Sequence, residues 1–349
     1  MDHLGILKRM WKMLWSYRAL WVFGIILALT TSSGGRGSSG AQASGGGGQG
    51  LGVGPLGQFL AQFGRSFQAD LALIAGWAIA AFVVLCGLGL LLAIVAIVAR
   101  YVAETAVMRM VDEHETTGEK RTVGQGIRLG WSRAAVRLFL IGLVVTVPIV
   151  IAAILLLGLT LLPLLAWVTE ITAVGIFGTV LTIGLFFLVL LVVIVVAIAA
   201  RLLVRLAWRA AALEELGVGA ALRRAWTLIR RHLGAVALMW LIMLGISLGY
   251  GLLMIPVFIA ILILGGLAGG AIVMVVRLLG GLVATGAAPW VVGGLLALPV
   301  LILIIGVPMI FLSALYRVYE SGVWTLTFRE LVALEALEAE TAPEICPAF

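Results

Sequence analysis

Arg223, Arg224, Trp226, Arg230 and Arg231 crowd into one short stretch that leads into the apolar run beginning at Leu233. A guanidinium forks onto phosphate oxygens through two parallel N–H donors, and an indole settles where apolar matter meets water. The chemistry open to this set is recognition of phosphate at a membrane surface. On a helix of about 3.6 residues per turn, Leu222, Trp226, Ile229 and Leu233 fall on one stripe with the arginines to one side. That pattern predicts an interfacial helix. Its stripe would lie in the acyl boundary and its arginines on lipid phosphates, each basic residue adding about 1 kcal/mol near an anionic leaflet. A second reading makes these arginines stop-transfer charges with no lipid role.

The unit recurs. Ile127, Arg128, Trp131, Ala134 and Leu138 match Leu222, Arg223, Trp226, Ile229 and Leu233, 95 residues apart. Leu7, Lys8, Trp11 and Leu14 take the same places near the N-terminus, and Arg18 departs from the pattern at the fifth. Each copy precedes an apolar span, which predicts an internal repeat. The candidate lipid- and interface-binding residues are therefore Lys8, Trp11, Arg128, Trp131, Arg223, Arg224, Trp226, Arg230 and Arg231.

Other chemistry is scarce. His3, His114 and His232 are far apart, and no nucleotide-binding, zinc-protease or hydrolase signature is present. His114, Glu115 and Glu119 sit in the polar segment Asp112 to Thr122, which reads as a solvated loop, so no metal and no cofactor is expected. Cys86 lies in an apolar run and Cys346 in the tail, which makes no disulfide framework. The spans carry Thr146, Thr179, Thr182, Ser247 and Tyr250 but no charge at mid-depth, where ion-coupled transporters usually need one. A non-enzymatic protein is the expectation.

The elements that must position these residues are legible from composition. Hydrophobic residues make up 63% of the chain and charged ones 11%, with a mean hydropathy of +1.22, far from the balance of a soluble domain. We read an all-α polytopic transmembrane bundle, one integral membrane domain over 1–349. Six spans run near 17–31, 71–99, 138–162, 173–200, 233–264 and 290–315, with basic interfacial helices at 2–16, 123–135 and 217–232. Three parallel two-span repeats follow, 1–111, 123–216 and 217–338, with a loose tail at 339–349. The first span also resembles a cleaved signal sequence, but the repeat favours its retention. Residues 32–54 are almost wholly Gly, Ser, Gln and Ala, a flexible external linker, and 56–67 reads as a small amphipathic helix. Gly265, Gly266, Gly269 and Gly270 read as a turn or as close helix packing, before an interfacial or half-inserted segment at 271–285.

Of the 23 Lys and Arg, 20 fall in the segments 1–18, 100–137, 201–232 and 314–349. That bias places both termini in the cytoplasm. Basic residues that hug span ends argue for anionic lipid headgroups as partners, with other membrane-protein subunits as a second class, and against nucleic acid.

The basic Trp helices, the Gly- and Pro-marked spans and the ending YRVYESGVWTLTFREL (Tyr316 to Leu331) resemble a loose group of six-span bacterial and archaeal families. These include the membrane domain of some glycerophosphodiester phosphodiesterases and the YciC-like inner-membrane proteins. The resemblance implies a prokaryotic plasma membrane and an accessory or organising role. The chain lacks the soluble phosphodiesterase barrel and its catalytic residues, so the enzymatic half does not carry over. The alternative function is a transporter or channel for a lipid-like or apolar cargo.

Overall fold

The computed structural model describes residues 2–32, 71–169, 171–280 and 288–341. The expected amphipathic segment 56–67 lies outside them, as do the linker beyond Ser32 and the tail from residue 342. Helices α1 (His3–Ser16), α2 (Ala19–Ser32), α3 (Leu71–Thr117), α4 (Val123–Gly130) and α5 (Arg133–Leu159) are followed by a 3-10 turn at Leu162–Thr169. Then come α6 (Thr172–Leu213), α7 (Val218–Arg231), α8 (Leu233–Gly280) and α9 (Ala288–Thr341). Among the described residues there is no strand.

Local chemistry sets the boundaries. The Asp2 carboxylate accepts from the Gly5 N–H at 2.9 Å and caps α1. A 100° bend separates α1 from α2. It is fastened by Tyr17, whose hydroxyl donates to Arg121 O at 2.8 Å, by Lys120 donating to Ser16 O at 3.0 Å, and by Trp21 Nε1 donating to Leu14 O at 2.8 Å. α3 runs to Thr117 and stops at Gly118, φ +72°, where a residue without Cβ turns left-handed and its N–H closes on His114 O at 2.9 Å. The polar segment Asp112 to Thr122 is therefore helical for its first half. The helix expected over 123–135 breaks at Trp131 and Ser132.

Among the described residues, five helices are long and apolar enough to cross a membrane. α2 has 14 residues, about 21 Å of helix against a hydrocarbon core of about 30 Å, so a sixth crossing requires α1 and α2 together. The glycines at 265–270 do not break α8, which continues to Gly280. Gly265 and Gly269 instead admit Leu301 and Ile305 of α9, and Gly293 faces Val273. The expected turn is thus a close helix contact, the small-residue packing of lipid-embedded pairs. Pro148, Pro256, Pro299 and Pro308 all lie inside helices.

The chain divides into two units. Residues 29–100 are one. Its described part from 81 is helix with apolar side chains such as Phe82, Leu85 and Leu90 exposed. The other, 1–28 with 101–349, holds the core. That core comes from helix ends: Ile6, Met10 and Leu14 of α1, Phe23 of α2, Ala106 to Val111 of α3, Leu138 and Ile141 of α5, Leu206 to Ala211 of α6, Leu228 of α7, Met239 of α8 and Val323 to Leu331 of α9. Along their apolar lengths α5, α6, α8 and α9 leave few side chains buried, as lipid-facing helices do.

Two glycines lie against backbone carbonyls of other helices. A Cβ on Gly24 would lie 2.7 Å from Ala314 O, and one on Gly130 would strike Val102 O. Gly24→Ala and Gly130→Ala are each expected to destabilise by about 1–3 kcal/mol through overpacking. Gly124→Ala, whose Cβ meets nothing within 4 Å, is expected to hold or gain stability. Thermal unfolding in mild detergent tests this, and a Gly130→Ala protein that melts with the parent would refute it.

Candidate membrane-surface site

α7 turns Ala221, Ala225 and Leu228 into the core, a spacing of four and three that defines one helix face. Leu222 and Ile229 are half-buried against the same core. The lipid stripe read as Leu222, Trp226, Ile229 and Leu233 is therefore corrected: two of its members pack on protein, because the flanking alanines let α7 approach closely. Trp226 is 53% exposed and Leu233 59%, beside exposed Arg223 and Arg230. The Arg230 guanidinium sits over the Trp226 ring, 5.6 Å from its centre.

The four arginines of α7 do not act alike. Arg224 Nη1 pairs with Glu335 Oε2 at 2.6 Å and its Nε reaches Glu214 Oε2 at 3.4 Å. Arg231 Nη1 pairs with Glu335 Oε1 at 2.9 Å. Partial desolvation pulls the Arg224 guanidinium down. The hydrogen bond to Glu335 and the charges of Glu214 and Glu335 outweigh it and hold the group above its ordinary value. Arg223 and Arg230 have no carboxylate within 4 Å among the described residues.

The other two basic Trp segments also present an outward pair. On α1 the exposed residues Leu4, Lys8, Trp11 and Trp15 form one stripe, while Ile6, Met10, Met13 and Leu14 are buried opposite. Trp11 meets Trp15 and Tyr319 edge-on at about 6 Å. Arg128 is exposed, and Trp131, at the break between α4 and α5, is 71% exposed. Lys8 with Trp11, Arg128 with Trp131 and Arg223 with Trp226 thus all face away from the core.

Ion pairing sorts the remaining basic residues. Arg9 holds both Glu115 and Glu330, Arg109 holds Glu215, Arg121 holds Glu113, Arg205 holds Glu320 and Arg329 holds Asp112. Lys12, Arg18, Arg133 and Arg201 are exposed and, among the described residues, have no carboxylate within 4 Å. They join Lys8, Arg128, Arg223 and Arg230. Sequence reasoning missed these four, though Lys12 follows Trp11 directly and Arg133 follows Trp131 by two.

A buried polar knot also went unread. Arg209 is 2% exposed, and its Nη2 donates to Ser321 O at 3.0 Å. Ser321 Oγ donates to Glu104 Oε1 at 2.8 Å; burial pulls the Arg209 guanidinium down to about 9, and the Glu104 and Glu320 carboxylates offset only part of that. The Arg205 guanidinium lies 5.4 Å from the centre of the fully buried Trp324 ring. α3, α6 and α9 are cross-linked here by hydrogen bonds to one buried cation and its counter-charge.

A family model described as a family of unknown function (DUF7544) matches residues 7–323. No curated protein and no solved structure matches the chain.

Proposed function

The chain belongs to the DUF7544 family of unknown function, and from that premise we propose that it is a non-enzymatic, multi-pass protein of a prokaryotic plasma membrane. Both termini lie in the cytoplasm, as the charge bias favours. Its role is accessory or organising: the basic Trp-bearing helices gather anionic lipid headgroups, and membrane-protein subunits are its further partners. One observation carries this reading. Lys8, Lys12, Arg18, Arg128, Arg133, Arg201, Arg223 and Arg230 are exposed without a carboxylate partner among the described residues, while Trp11, Trp15, Trp131 and Trp226 stand exposed near them in sequence. Guanidinium groups already satisfied by Glu or Asp would have little to offer a phosphate; these are not satisfied.

Changing Lys8, Arg128, Arg223 and Arg230 together to Gln keeps helix-forming residues and removes four charges. The purified variant is expected to retain about ten-fold less phosphatidylglycerol or cardiolipin than the parent, a difference of about 1.4 kcal/mol. Native mass spectrometry measures the retention, and the difference should shrink as salt rises. Cysteine labelling on intact cells, with Ser39→Cys reactive and Gly118→Cys silent, reports orientation. A variant that inserts in the parental orientation with its full anionic lipid complement would sink the lipid role.

A further inference from the structure

We infer that the cleft between α7 and the last turns of α9 is a binding site for the phosphodiester of an anionic phospholipid, and that Glu335 occupies the place of that phosphate. This rests on the lipid-gathering reading above and adds a specific seat and a gate to it. The cleft has a volume of about 500 Å³ and is lined by Arg224, Arg231, Val332, Glu335, Ala336 and Glu338. Arg224 and Arg231 each meet a different oxygen of the one Glu335 carboxylate, at 2.6 and 2.9 Å. A phosphodiester offers two anionic oxygens on a single centre, so it makes the same demand on the two guanidiniums.

Three further features fit a lipid. Arg224 keeps Glu214 as a second partner, which holds its guanidinium in place when Glu335 withdraws. Val332 and Ala336 give the cleft an apolar wall for a glycerol stem. Leu233, exposed two residues beyond Arg231, begins the apolar α8, so acyl chains have a helix to follow. Displacement starts at Arg231, whose side chain is 59% exposed and whose pair with Glu335 is therefore the weaker; Arg224, 28% exposed, holds Glu335 more firmly. The His232 Nδ1 lies 4.0 Å from Glu338, which lines the cleft. The last turns of α9 thus act as an internal carboxylate plug on two arginines that would otherwise join the lipid surface.

The test uses the full chain in mild detergent with mixed phosphatidylcholine and phosphatidylglycerol, bound lipids being counted by native mass spectrometry. Glu335→Gln is expected to raise retained phosphatidylglycerol about five-fold over the parent. The gain is expected to vanish when Arg224→Gln and Arg231→Gln are added, and to survive inorganic phosphate. A gain stripped by inorganic phosphate would reassign the site to free phosphate and overturn the lipid. Unchanged or lower retention in Glu335→Gln would overturn the plug. Hydrogen exchange on the parent guards against a misfolded variant: phosphatidylglycerol, and not phosphatidylcholine, is expected to lower protection over residues 332–340. No change there also refutes the displacement. A parent that prefers phosphatidylglycerol but gains nothing from Glu335→Gln sinks the cleft alone. A gain in Glu335→Gln over an indifferent parent supports the cleft and sinks the wider surface reading.

Discussion

Arg209→Met is expected to cost about 3 kcal/mol of stability, with a matching fall in the unfolding temperature in mild detergent. The change removes a buried cation that donates to Ser321 O and to Arg205 O, and it leaves Glu104 facing the core without its counter-charge. Removing one partner of a buried charged set costs far more than removing the set, because the remaining charge keeps its desolvation penalty. Adding Glu104→Gln should therefore restore a large part of the loss. Relief of the guanidinium's own desolvation, and of its repulsion with Arg205, keeps the single loss near the lower end of its range. A double-mutant cycle measures the coupling. If Arg209→Met melts with the parent, or Glu104→Gln deepens its loss, the knot is not what joins these helices.

Trp324→Ala is expected to be at least as damaging, about 3–5 kcal/mol. Trp324 is the largest fully buried side chain described, and Arg205 stacks on its ring. Alanine would leave a cavity where α6 and α9 meet and would free Arg205 from one face. Trp324→Phe separates volume from polarity. The indole Nε1 has no hydrogen-bond partner among the described residues, so phenylalanine forfeits only part of the ring and is expected to cost under about 1.5 kcal/mol. Size-exclusion profiles after a heat step rank the three proteins. Equal losses for Ala and Phe would show that Nε1 finds an acceptor after all.

How far the sequence reaches is clearest at the arginines. Local rules carry the helices, the basic ends and the outward Lys8, Trp11, Arg128, Trp131, Arg223 and Trp226, because helix period and flanking charge are properties of neighbours. They do not carry Arg231, whose partner Glu335 is 104 residues away. Nor do they carry Arg209. Arg201, Arg205 and Arg209 are spaced by four, and each step of four turns the side chain by about 40° around the helix. Two such steps take an exposed arginine to a buried one, and only the position of α9 says where along that rotation the core begins. Gly265 and Gly269 are a third case. A glycine pair suits a turn and a tight helix contact equally, and Leu301 and Ile305 across the contact decide between them.

The placement of Val323 to Leu331 at the centre of the core sets a timetable. α9 is synthesised after every other described helix, and its residues are what Met10, Arg9 and Asp112 wait for: Met10 packs against Gly322, Arg9 pairs with Glu330 and Asp112 with Arg329. The earlier helices can each enter lipid as they emerge, since their apolar lengths need no partner there. The layer of helix ends cannot close until α9 leaves the ribosome. A chain stopped before Tyr316 would thus be inserted with its core unfinished, its α1 and α3 ends open to proteases and chaperones, and completion would be marked by a single late step.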